Sequence, residues 1–226
     1  MKNGVLSIAI DGPSGSGKSS LADRIASEYG LIHIDTGALY RAVGLYVRNA
    51  GVLSTDTKGV IALLPDIDVT MRLEDGKGTV YLADRRLGQE IRTPEISKYT
   101  SDVSAIPEVR AFLLETQRSI AQTNGVVMDG RDIGTVILPD ADVKIFLTAS
   151  DEVRAERRAA ELLAKGQSVT TEQVLESMRS RDSNDKNRKA SPAIPAEDAV
   201  MLDNTLLDID GTFAVARRII DKVLSK

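Results

Sequence analysis

The segment that most restricts this chain runs from Gly12 to Ser19. Its letters, Gly12-Pro13-Ser14-Gly15-Ser16-Gly17-Lys18-Ser19, fit G-x-x-x-x-G-K-[ST] at every position. Glycines at 12, 15 and 17 let the backbone adopt positive φ and turn its N–H groups onto an anion. The apolar run 5–10 before the loop reads as a buried strand. After it comes a helical pattern with Leu21, Ile25 and Ala26 on one face, stopping near Gly30. The N-terminus of such a helix adds about half a positive charge aimed at a phosphate. Lys18 is placed to reach the β- and γ-phosphates and the Ser19 hydroxyl to bind Mg²⁺. The loop therefore commits the chain to a strand–loop–helix unit built around a nucleoside triphosphate, while leaving the reaction open.

The unit repeats. Leu31–Ile34 reads as a second strand ending at Asp35-Thr36-Gly37, and a second helix with Leu39, Val43, Tyr46 and Val47 inward stops at Gly51. Strand–helix alternation at this spacing predicts a parallel sheet with right-handed crossovers. The middle breaks the rhythm: 68–73 alternates polar and apolar, 74–78 is a turn cluster and 79–82 is another strand, an antiparallel hairpin signal. Helical periodicity returns after Pro107, and strands follow at 126–128, 143–147 and 200–202. Arginine-rich helices begin at Ser150 and Thr171, and a last helix spans 212–223. The expected fold is an α/β, P-loop NTPase-type three-layer structure with a central parallel five-stranded sheet. In it a single kinase domain covers 1–226, with a small α+β insert over 63–100 and a helical lid over 150–190.

Composition removes other chemistries. With no cysteine there is no disulfide framework, thiolate metal site or cysteine nucleophile, and the single histidine, His33, leaves no His-rich metal site. His33 itself reads as a strand side chain without a catalytic role. A net charge of −4 supplies no global field for nucleic acid or an anionic membrane, and 4% aromatics without tryptophan make no stacking platform. No apolar run approaches the ~18 residues of a membrane span. Met1-Lys2-Asn3-Gly4 enters a strand without a secretory h-region. A cytoplasmic enzyme acting on small molecules, as a monomer, is the expectation.

Two strand ends supply polar groups where open α/β sheets hold ligands: 35–41, with Asp35 and Arg41, and 129–132, Asp129-Gly130-Arg131-Asp132. Arg41 and Arg131 fit a bidentate grip on a second phosphate. Arg154, Arg157 and Arg158, with the run from Arg179 through Arg181 and Asp185 to Arg188, fit a mobile cationic arm that stabilises a transferring phosphoryl group and excludes water. No general base stands out. A phosphate monoester acceptor, with its second pKa of about 6, needs none at neutral pH. A hydroxyl acceptor stays open through Asp35. A GTPase-type switch is disfavoured, because N-K-x-D is absent.

Together, 11–19, 35–41, 88–93, 129–136, 143–147 and 181–188 resemble bacterial cytidylate kinase over essentially the whole chain, hairpin insert included. The resemblance implies transfer from ATP to CMP or dCMP with Mg²⁺. It implies that Gly12 to Ser19, Ser20, Arg154 and Arg158 bind ATP, and that Ser19, with Asp129 through water, binds the metal. Thr36, Arg41 and Arg131 would hold the acceptor phosphate. Ser101, Arg110, Asp132 and Arg188 would read cytosine, and Arg181 with Asp185 the ribose. Lys18, Arg131, Arg181 and Arg188 would act in catalysis. A carboxylate at Asp132 suits the cytosine amine, a donor, and opposes the uracil carbonyl. Thr36 stands where many relatives have serine; the hydroxyl is retained and a methyl added. UMP or AMP as preferred acceptor is the nearest rival.

Overall fold

The computed structural model describes residues 4–225; Met1–Asn3, where the chain start reads as leaderless, and Lys226 lie outside them. In chain order the elements are β1 (Ser7–Asp11), α1 (Lys18–Tyr29), β2 (Ile32–Asp35), α2 (Thr36–Asn49), α3 (Thr57–Leu63), β3 (Val69–Glu74), β4 (Lys77–Leu82) and β5 (Arg85–Arg86). There follow α4 (Pro94–Val103), α5 (Pro107–Thr123), β6 (Val126–Gly130), β7 (Val143–Thr148), α6 (Asp151–Ala164), α7 (Thr171–Asn187), β8 (Val200–Asp203) and α8 (Ile209–Leu224).

Strands β2, β6, β1, β7 and β8 lie side by side in that order, all parallel, as the strand–helix rhythm predicts. Their near-continuous apolar character follows from burial on both faces. The pleat divides them. Ile8, Ile10 and Val127 pack with Leu21 and Ile25 of α1 and Ala216 and Ile220 of α8. The alternate residues Ala9, Val126 and Met128 pack with Ala121 of α5 and Ile133 on the other face. Layers of helix, sheet and helix result.

The hairpin forms as expected, with β3 and β4 antiparallel from Val69↔Leu82 to Glu74↔Lys77. Its turn places Asp75 at φ 48° and Gly76 at φ 74°, the backbone that a twisted two-residue connection requires. It does not stand apart as a separate sheet. β4 docks in parallel on the outer edge of β2 through the pair His33↔Lys77, so the sheet is mixed and eight-stranded. An unpaired edge of β2 is the physical reason, because its N–H and C=O groups need partners. Behind the hairpin, Ile96 and Val103 of α4 join Leu39 and Val43 of α2 in one apolar cluster.

Helices α6 and α7 share a small core of their own, Ala155, Ala159, Leu162, Val174 and Met178. Ser150 caps α6 by accepting from Val153 N, and α7 opens with a Thr170/Gln173 capping box. These helices lean over the carboxyl ends of β1, β6 and β7, where the parallel strands deliver their loops.

Candidate active site

The phosphate loop leaves β1 at Gly12, whose φ is 148°. A Cβ there would lie 2.0 Å from the Leu147 carbonyl oxygen, so only glycine lets the loop pass β7. Gly15 and Gly17 are left-handed, at 74° and 89°. Lys18 folds back over the loop and donates to the Pro13 carbonyl at 2.7 Å, as Ser16 Oγ does at 3.0 Å. Burial, followed by repulsion from Arg131, brings the Lys18 ammonium down to about 7. Asn204, which sequence reasoning passed over, supports the loop by donating to the Ser16 carbonyl at 3.0 Å. Ser20 lies on the exposed side of α1.

Ser19 Oγ donates to Asp129 Oδ2 at 2.9 Å. The other carboxylate oxygen of Asp129 meets His33 Nε2 at 2.7 Å, and the main-chain oxygen of Asp129 accepts from Thr36 Oγ1 at 2.9 Å. Thr36 thus holds β6 against α2 with the hydroxyl alone. His33 is buried. Burial would lower its imidazole pKa, but hydrogen bonds and charge from Asp129 and Asp23 outweigh it and raise the pKa. Asp11, at the end of β1, accepts from Ile133 N at 2.7 Å and Gly134 N at 2.8 Å. It thereby ties the segment after Asp132 to the base of the loop. Burial raises its carboxyl to about 6, against those two N–H donors.

Above the loop the arginines converge. Burial and then Arg92, Arg131 and Arg158 disfavour charge on Arg41, with Asp35 opposing; its Nε and Nη1 are buried without a partner. Burial and the repulsion of Arg131 lower Arg181 to about 10, and its Nε is unpartnered too. Arg131 donates to Asp185 Oδ2 at 2.9 Å, so α7 and the end of β6 meet here. Unpartnered guanidinium atoms held among other cations are costly alone and are repaid by an anion. Arg92 was missed as a site residue. It holds Asp35 at 2.8 Å, so Asp35 anchors an arginine instead of capping α2. The 88–93 segment was its sequence signal.

At the far end Asp132 is gripped on both oxygens, by Arg110 Nη2 on Oδ2 and by Arg188 Nη2 at 3.4 Å on Oδ1. Arg110 also donates to the Ser104 carbonyl at 3.2 Å, and Arg188 to that of Ser191 at 2.6 Å. Asp132 and Arg110 line a cavity of about 180 Å³ with Tyr40, Gln117 and Ile137. Ser101 lies in the last turn of α4, where its carbonyl accepts from Ser104 Oγ at 3.0 Å.

The three arginines of α6 differ. Arg154 is 4% exposed and donates to Ser14 O at 2.8 Å and Asp182 Oδ2 at 2.5 Å, so it clamps the phosphate loop to α7. Asp182, also missed, accepts from Ser14 N at 3.2 Å. Arg158 is partly exposed, rests on Glu161 at 2.6 Å and faces the cationic cluster around Arg41. Arg157 holds Asn204 and the Leu207 carbonyl.

A phosphate loop at a parallel strand end, faced by arginines from α2, α6, α7 and the end of β6, defines a P-loop phosphotransferase. A profile for cytidylate kinase matches residues 8–224. The cytidylate kinase of Caldicellulosiruptor bescii is 48% identical over 205 residues, covering 91% of this chain and 91% of that one. That of Geobacter sp. (strain M21) is 46% identical over 226 residues, covering 100% and 96%. This chain belongs to the cytidylate kinase family. The fold alone is shared with a solved structure of an uncharacterized protein from Eubacterium ventriosum, 13% identical, TM-score 0.51, covering 98% of this chain and 99% of that one.

Proposed function

We propose that this chain transfers the γ-phosphoryl group of ATP to CMP or dCMP, giving ADP and CDP or dCDP. The observation that carries it is the cationic cluster of Arg41, Arg131, Arg158 and Arg181 above Lys18, with buried guanidinium atoms unpartnered. The triphosphate lies in the loop, with Lys18 moving from the Pro13 carbonyl to the phosphates. Arg41 and Arg131 take the acceptor phosphate, which attacks as its dianion, so no side chain need remove a proton. Arg181 and Arg158 neutralise charge on the transferring group, supported by Asp185 through Arg131. Asp132, held by two arginines, retains lone-pair capacity for the cytosine amine, while Arg110 and Ser101 supply donors for the ring acceptors. Arg154 serves ATP indirectly, by shaping the loop.

Ser19 Oγ and Asp129 Oδ2 are hard oxygen donors 2.9 Å apart beside the loop. Among the described residues no group of three or more His, Cys, Asp or Glu side chains is placed to hold a metal by itself. Such a sparse oxygen set suits Mg²⁺, which keeps waters and shares substrate phosphates. When bound, Mg²⁺ neutralises charge across the β- and γ-phosphates. We further assign a monomer of one domain, with the insert over 63–100 and the lid over 150–190. Among the described residues no helix is long and apolar enough to cross a membrane. We assign the cytoplasm, where nucleotides are found, as its compartment. The test is ³¹P NMR of the enzyme with Mg²⁺, ATP and CMP: CDP and ADP should accumulate together. ATP loss without CDP, or phosphorylation of a polyol such as shikimate instead, contradicts the reading.

A further inference from the structure

The single histidine of the chain lies where the hairpin meets the phosphate site. His33 is 6% exposed in the middle of β2, and both ring nitrogens are engaged. Nδ1 is 2.9 Å from Asp23 Oδ1 on α1, and Nε2 is 2.7 Å from Asp129 Oδ1. Asp23 in turn receives Lys77 Nζ of β4 at 2.6 Å. The backbone runs the same way, because His33 pairs with Lys77 and His33 N donates to Gly76 O at 3.1 Å. An unbroken polar chain therefore leads from the hairpin through Lys77, Asp23, His33 and Asp129 to the Ser19 hydroxyl.

A carboxylate turns about its last side-chain bond unless one oxygen is fixed. Asp129 has one oxygen fixed by a ring that is itself locked on its far side. We infer that His33 is a positioning residue, which anchors Oδ1 of Asp129 so that Oδ2 stays turned toward Ser19, and that the hairpin braces this anchor through Lys77 and Asp23. This gives the insert a part in the site that its 63–100 boundaries alone do not suggest. The inference rests on the reading of Ser19 and Asp129 as the metal-facing pair. Partners that orient a metal-facing group typically change metal affinity by about 10- to 100-fold when lost.

The test uses the full chain with Mn²⁺ as a spectroscopic probe and a non-hydrolysable ATP analogue, reading Mn²⁺ affinity of the complex by electron paramagnetic resonance. His33→Leu should weaken it by about 10-fold or more, raise the metal concentration needed for half-maximal turnover, and leave KM for CMP near wild type. His33→Gln, which keeps a donor toward Asp129, should recover most of the affinity. Asp23→Asn, with His33 retained, should cause a smaller loss in the same direction, which keeps the inference testable if His33→Leu does not fold. Unchanged Mn²⁺ affinity in His33→Leu, or in Asp23→Asn where that variant must stand alone, overturns the inference. If Asp129→Asn weakens Mn²⁺ binding while the His33 variants do not, only the positioning role fails. If Asp129→Asn has no effect, the metal-facing pair fails with it.

Discussion

At the residue scale, two groups carry charge the site must manage. Lys18 is buried among arginines, with its ammonium brought to about 7. Near pH 8 it is mostly neutral in the free enzyme, and triphosphate oxygens favour its charged form, so ATP binding should take up a proton. Near pH 6 it is already protonated and that uptake should vanish. Calorimetry in buffers of different ionisation enthalpy reads this directly, and Lys18→Arg should abolish the uptake near pH 8; absence of uptake in wild type would contradict the assignment. Asp132 is the residue proposed to read the acceptor base. Asp132→Asn exchanges a charged acceptor for an amide, and losing a hydrogen bond to a charged group costs roughly 1.5–3 kcal/mol, or about 10- to 100-fold in CMP-over-UMP selectivity. Unchanged selectivity in kcat/KM would remove Asp132 from base recognition. Asp132 and Arg131 were legible because they end an apolar run where a parallel sheet holds ligands. His33 was not, since a histidine inside a strand looks the same whether it fills space or orients a carboxylate.

At the scale of elements, sequence reasoning went part of the way over α6 and α7. The i,i+4 spacing of Arg154 and Arg158 puts both on one side of α6. It does not say which finds a protein carbonyl and which faces the cleft. That choice is made by Ser14 O and Asp182, which reach Arg154 from the phosphate loop and from α7. Arg181 on α7 has an orphan Nε and Arg188 grips Asp132, so the tasks proposed for them are separable by experiment. Arg181→Ala should lower kcat by at least on the order of 10²-fold, because it removes charge stabilisation from the transferring group. Arg188→Ala should act mainly on KM for CMP, by loosening Asp132. Each should lose much of kcat/KM for CMP, and near-wild-type steady-state kinetics in both would contradict the lid's role. The hairpin was visible from its alternation and turn. Its docking was not, because one residue pair at a strand edge leaves no pattern in the chain.

For the whole molecule, a net charge of −4 conceals the organisation that matters. Several acidic residues hold arginines, as Asp35 and Asp185 do, while Arg41, Arg131, Arg158 and Arg181 gather near one another beyond the carboxyl edge of the sheet. The five parallel strands were legible because each is a short apolar run and four of them, β1, β2, β7 and β8, lead into an α-helix; the ends of such strands are where a ligand site is expected. The absence of cysteine and the single histidine suit a transfer between phosphates, which asks for charge and positioning more than proton movement. Whether this cleft phosphorylates a cytosine monophosphate is read from ADP release with CMP, dCMP, UMP, AMP and GMP as acceptors, compared as kcat/KM. CMP or dCMP should rank first, and a higher value for UMP or AMP would overturn the cytosine assignment.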